Sequence, residues 1–183
     1  MPSIADVIRS RRTIHEFHPD SAPPDALVEA AIEHAVMAPN HYHTRPWRFY
    51  LLGPEAIAGI CQLNADMLRS VKGDAAADFK LRRWRQVPGW LLLTCIRSDD
   101  PVRQREDYAA CCCAAQNLNL FLWEQGIGVK WTTGEATRAP GFLHLLGIDP
   151  DREEVVGLFW YGRAAAVPEP QPRTAQEVIV RLP

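Results

Sequence analysis

Apolar positions recur with two different periods along this 183-residue chain, and the switches between the periods mark its elements. Ile4, Val7 and Ile8 make a helical stripe. Ser3 stands before it as a cap, and Asp6 suits the positive end of the helix dipole. Pro23 and Pro24 open a second helix, DALVEAAIEHAVM, which closes near Pro39. WRFYLL then reads as a strand, and GPEAIAGICQLNADMLRS as a third helix. Residues 71–89 are charged and carry Gly73, Pro88 and Gly89, which predicts a mobile loop or an irregular helix. WLLLTCIR is apolar throughout, the mark of a central strand. A long helix over about 102–125 ends at Gly126, and GVKWTT follows as a third strand. A short helix around GFLHLLG and a fourth strand, EVVGLFWYG, complete the pattern. Beyond Gly162, Pro168, Pro170 and Pro172 predict an extended arm over 163–183, with EVIVRLP as a possible final strand. No internal repeat or low-complexity block is visible. The pattern suits one domain over 1–183.

Composition narrows the function. Nearly half the residues are hydrophobic and about a quarter are charged, enough for a packed core. A formal net charge of −2 argues against a general nucleic-acid binder. Arginine outnumbers lysine 17 to 3; codon bias explains such a ratio, and so does anion binding by guanidinium forks. No run approaches the roughly 20 apolar residues of a membrane helix. The start, MPSIADVIRSRR, lacks a signal-peptide core. The expected location is therefore cytoplasmic. Five cysteines, three of them adjacent at 111–113, form neither a disulfide framework nor a zinc spacing. Tyr108, Cys111, Cys112, Ala115, Leu118 and Leu122 recur at helical spacing, so these thiols read as small core residues. Neither GxGxxG nor a Walker A pattern occurs.

The stretch APNHYHTRPWRFYLL, residues 38–52, concentrates donors and planar rings at the mouth of a strand. Four readings apply. His41 and His43 could share a face toward a metal, but no third ligand has a recognisable spacing, and no metal is expected. A histidine acid or base needs a partner carboxylate, and the stretch has none. A polar loop anchored by Trp47 is a third reading. The fourth is a binding edge for a planar polar heterocycle with an anionic tail, offering His41 and Arg45 as donors. Cations for such a tail stand in SRRTIHEF, where Arg11, Arg12 and Thr13 follow the first helix as a phosphate clasp.

RRTIHEF, APNHYHTRPWRFYLL, GIGVKWTTG, LLGI and VVGLFWYG, in this order and spacing, resemble the FMN-dependent nitroreductase family in its compact, single-domain branch. The likeness runs over residues 3 to 162. Thr13 stands where serine is commoner, Asn40 where relatives are acidic, and Arg45 where many have glutamine.

The resemblance implies an α+β fold, a central mixed β-sheet covered by helices on both faces. It implies a homodimer with two FMN molecules in the subunit interface and a C-terminal extension reaching over the partner. By that carry-over Arg11, Arg12 and Thr13 hold the phosphate and ribityl chain, and Arg173 is a further phosphate candidate. His41 and Arg45 line the flavin from the other subunit. Trp131, Thr132 and Thr133 approach the ring system, and Gly134 lets the backbone come close. The implied activity is hydride transfer from NAD(P)H through flavin N5 to a small acceptor such as a nitroaromatic or quinone, by a ping-pong mechanism. No protein side chain is then needed as catalyst, because the cofactor carries the chemistry. A flavin-binding protein for storage or sensing, and a same-fold reductase of enones or halogenated aromatics, remain as alternatives.

Overall fold

The computed structural model describes residues 2–170 and 174–183. Four strands form one sheet in the order β1-β2-β4-β3: β1 Trp47–Leu51, β2 Gly89–Ile96, β3 Gly128–Thr132 and β4 Glu153–Gly162. All three ladders are antiparallel. The sheet is therefore antiparallel rather than mixed; parallel pairing among the described residues is confined to an isolated bridge between Thr13 and Val129, outside the named strands.

Strand alternation sorts the core into two halves. Leu91, Leu93, Cys95, Val129, Phe159 and Tyr161 face α2 (Asp25–Ala35) and α5 (Pro101–Glu124). Trp90, Leu92, Leu158 and Trp160 face the other way. There they meet α3 (Pro54–Lys72), α4 (Asp74–Arg85) and the short helices α6 (Glu135–Arg138) and α7 (Phe142–Leu145). Helices thus cover both faces, as expected. One bulge adjusts the register: Leu93 pairs with Gly157 and Thr94 with Val155, leaving Val156 as the extra residue. Its carbonyl accepts a 3.1 Å hydrogen bond from the Trp131 indole. A Cβ on Gly157 would come within 1.9 Å of that indole nitrogen, so only glycine admits the ring.

Two further expectations change. Residues 74–85, expected as a loop or irregular helix, form the regular helix α4. Ala77, Leu81 and Trp84 give it an inward stripe, and Arg69 of α3 ties it down through Asp74 and Asp78 at 2.8 and 3.1 Å. The possible final strand in EVIVRLP does not form. Residues 175–177 make a 3-10 turn, and residues 178–183 are exposed without a ladder. A strand needs a neighbour for its backbone groups, and none stands there among the described residues.

Candidate functional site

The segment after α1 (Ile4–Ser10) is shaped by its own cations. Ser3 and Asp6 close a capping box at the front of this helix, and the Ser3 bonds hold the Asp6 carboxyl below the usual range. At the other end Arg11 leaves helical geometry, at φ −56° and ψ 131°. Arg12 turns its Nη1 back to the carbonyls of Arg9 and Arg11, at 2.8 and 2.6 Å. Its Nε is buried and has no partner. Arg11 is half-buried, and burial together with the neighbouring Arg12 charge pulls its pKa down. Neither guanidinium forms a salt bridge among the described residues. Two adjacent, partly buried guanidinium groups without an acid partner among the described residues favour an anion beside them.

Thr13 then runs alongside β3. The Ile14 amide donates to the Val129 carbonyl at 3.1 Å, and the Ile14 side chain is fully buried over Gly128. A Cβ at Gly128 would meet Ile14 Cγ1 at 2.5 Å, so this glycine is required for the close approach. The result sets Arg11, Arg12 and Thr13 beside the β3 edge of the sheet. At the end of that strand the structure separates the expected residues by role. Trp131 points inward and stacks on Phe159 with ring centroids 5.4 Å apart, so its side chain is core. Thr132 and Thr133 are half-buried and exposed respectively. Gly134 caps α6, and its amide donates to Thr132 Oγ1 at 3.4 Å.

His41 and Arg45 lie elsewhere. They belong to the loop that enters β1, on the opposite edge of the sheet. Three strand spacings, roughly 14 Å, separate the two edges. Residues 41–43 form one 3-10 turn, with Tyr42, His43 and Arg45 at φ 56°, 53° and 50°. His41 packs edge-on against Tyr42, centroids 4.0 Å apart, and both His41 and Arg45 are exposed. One chain therefore holds Thr13 beside Val129 near the start of β3 and residues 132–134 at the end of the same strand, whereas His41 and Arg45 enter β1 on the opposite edge. Arg173 lies outside the described residues.

A cavity of about 670 Å³ opens between residues 15–19, α4 and the β3–β4 pair. His15, Lys80, Arg83 and Lys130 line it, with Trp84 and Trp160 as its aromatic walls. Lys130 holds its ammonium 4.7 Å from the Trp160 ring centroid. Burial lowers its pKa first, and the Lys80 and Arg83 charges add to that. The Trp160 indole Nε1 is buried without a partner. Glu16, 3.6 Å from Arg83, is its one nearby acid among the lining residues. None of these residues stood out in the sequence. One signal was available: the chain has only three lysines, and Lys130 interrupts an otherwise apolar strand.

No helix among the described residues is long and apolar enough to cross a membrane. No cluster of three or more His, Cys, Asp or Glu side chains there could hold a metal ion.

This arrangement has close parallels. The protein YfhC of Bacillus subtilis, provisionally named an NAD(P)H nitroreductase, is 31% identical over 176 residues, which span 93% of this chain and 89% of YfhC. The structure of a nitroreductase-like family protein from Bacillus cereus superposes with a TM-score of 0.85 at 27% identity, covering 100% of this chain and 97% of that one. A provisionally named nitroreductase from Desulfovibrio desulfuricans, solved in complex with FMN, shares the fold at a TM-score of 0.78 and 24% identity, covering 100% and 98%. The Nitroreductase family itself matches residues 8–163, a span running from the first helix through Arg11–Thr13 and both sheet edges to the end of β4, and this chain belongs to that family.

Proposed function

We propose that the protein is an FMN-dependent oxidoreductase that takes reducing equivalents from NAD(P)H and passes them to a small organic acceptor such as a nitroaromatic or a quinone. The observation that carries this reading is the adjacent, partly buried pair Arg11 and Arg12, without an acid partner among the described residues and followed by Thr13 along the β3 edge, in a nitroreductase-family chain. The buried orphan donors Arg12 Nε and Trp160 Nε1 fit a ligand rich in acceptors. The names of several family relatives and fold neighbours carry NAD(P)H or FMN, which agrees with this choice.

FMN, when bound, would supply the redox chemistry, hydride transfer through its N5. The chain supplies position and charge. Arg11, Arg12 and Thr13 hold the phosphate and ribityl chain, and Arg173 is proposed as a further phosphate contact. Trp131, buttressed by Phe159, fixes the end of β3 from behind. Thr132, Thr133 and the small Gly134 then offer backbone and hydroxyl groups toward the ring. Lys80, Arg83 and Lys130 place positive charge in the adjoining cavity, which favours an anionic reduced ring. His41 and Arg45 come from a second copy of the chain, because their own subunit holds them at the far edge of its sheet.

Donor and acceptor share one open face in turn, giving ping-pong kinetics. The chain carries no separate dinucleotide-binding motif, and hydride transfer needs contact at about 3–3.5 Å for each substrate. Initial rates with a nitroaromatic or quinone should give parallel double-reciprocal lines; intersecting lines would overturn the shared face. Arg11→Ala should weaken FMN binding by about 10- to 100-fold, the range for hydrogen bonds to a charged group, with little loss of melting temperature in the apoprotein. Wild-type affinity in that variant would defeat the clasp. A yellow protein that fails to oxidise NAD(P)H with any acceptor would instead favour flavin storage or sensing.

A further inference from the structure

We infer that Asp107, a buried carboxylate near the start of α5, is a positioning residue that sets the loop carrying His41 and Arg45. The inference rests on the proposal that these two side chains meet the flavin. Asp107 is only 4% exposed and sits on the helix face that packs against the apolar core. Among the described residues no salt bridge compensates its charge. What meets it instead is the 40–45 loop. The Thr44 hydroxyl donates to its Oδ1 in a short hydrogen bond, and Asn40 Nδ2 approaches the same oxygen at 3.5 Å. Asn40 then completes the connection. Its Nδ2 donates to Thr44 Oγ1 at 3.0 Å, and its Oδ1 accepts from the Arg45 amide at 2.7 Å. One helical turn before Asp107, Arg103 lays its guanidinium 5.4 Å from the Tyr42 ring centroid.

The loop needs such support. Tyr42, His43 and Arg45 all sit in the left-handed region that side chains other than glycine disfavour. Conformations of this kind persist when surrounding contacts over-determine them, and they cluster where geometry serves function. A loop that merely joined α2 to β1 would gain nothing from three such residues. The chain Asp107–Thr44–Asn40–Arg45 fixes the backbone at the residue whose guanidinium is to be presented. His41 and Arg45 themselves remain exposed and form no hydrogen bond through their side chains among the described residues. The loop is therefore held at its base and open at its functional groups.

The test uses the full-length protein stripped of flavin and retitrated with FMN, followed by flavin fluorescence. Thr44→Val removes the donor at constant shape, and Asp107→Asn removes the charge; each should raise the FMN dissociation constant about tenfold. Thr44→Ser, which restores the hydroxyl, should stay within about twofold of wild type. In a His41→Ala/Arg45→Ala background, adding Thr44→Val should cost less than about twofold, because the loop then has nothing left to present. That coupling is the readout a purely structural role would not give. Wild-type affinity in Thr44→Val, or the same tenfold loss in both backgrounds, would overturn the role of Asp107. Wild-type affinity in His41→Ala/Arg45→Ala would remove the flavin contact itself, and the positioning role with it. Should Asp107→Asn fail to fold, the Thr44 variants decide alone.

Discussion

Lys130 shows how a single residue can be set against the stability of its own fold. Its neighbours Lys80 and Arg83 are cationic, its ammonium lies over an indole, and burial lowers its pKa. The folded state thus binds this proton less readily than the unfolded chain does. Stability tied to Lys130 is lost as pH falls through the folded pKa and is fully regained only above the unfolded value of about 10.4. Lys130→Met should therefore raise the melting temperature of the apoprotein by a few degrees at pH 7, and the gain should shrink as pH approaches 10. FMN affinity should move the other way and fall, since an anionic ligand is what offsets the crowded charge. Scanning calorimetry over pH 7–10 checks the first part. A gain that does not change with pH would mean that packing, not charge, sets it. The residues that carry this argument were not legible in the sequence. His15, Lys80 and Lys130 belong to three separated segments, and only the fold brings them to one cavity. Arg11, Arg12 and Thr13 were legible because they are consecutive. Asp107 was invisible, because a lone acid on a long helix usually faces water.

Elements were read best where period and length agreed. β2 and β4 announce themselves as apolar runs, and Ser3 and Gly126 mark helix ends in the expected way. α4 reads in the sequence as a loop or an irregular helix because its surface is so charged that a three-residue apolar stripe is lost among Asp, Lys and Arg. Helix α5 illustrates the reverse. Its cysteine run was read as packing, and the structure grades it: Cys111 is buried, Cys112 intermediate and Cys113 exposed. The Cys111 thiol is pushed well up by its contact with Cys95 and by burial, so it stays protonated and unreactive. Alanine at all three positions should leave FMN content and turnover within a few-fold. The cost, roughly 1 kcal/mol, should come almost wholly from Cys111, with Cys113→Ala close to neutral. Loss of turnover in a folded, yellow triple variant would reveal redox chemistry that the burial of Cys111 argues against for that thiol.

At the scale of the whole molecule, one chain looks unfinished. Its two polar clusters stand on opposite edges of a four-stranded sheet, roughly 14 Å apart by strand spacing. Its last ten residues include Val178, Ile179, Val180 and Leu182 at 80, 51, 81 and 85% exposure. Ile4 and Ile8 of α1 are also mostly exposed. Single exposed apolar residues are ordinary, but a run of them at a chain end leaves apolar surface and strand-like backbone without a partner. The consecutive β-branched residues Val178, Ile179 and Val180 favour a strand there, and among the described residues nothing pairs with them. The proposed second copy answers both deficits at once, on the reading that it covers the tail and brings its His41 and Arg45 to the first copy's Arg11–Thr13 segment. Light scattering of the FMN-loaded protein at low micromolar concentration should therefore give twice the 20.6 kDa chain mass. Removing residues 174–183 should weaken that dimer and, with it, FMN retention, while the sheet and both core halves stay folded by circular dichroism. A monomer that still holds FMN tightly would show that one subunit completes the site alone, and would defeat the assignment of His41 and Arg45 to the partner's flavin.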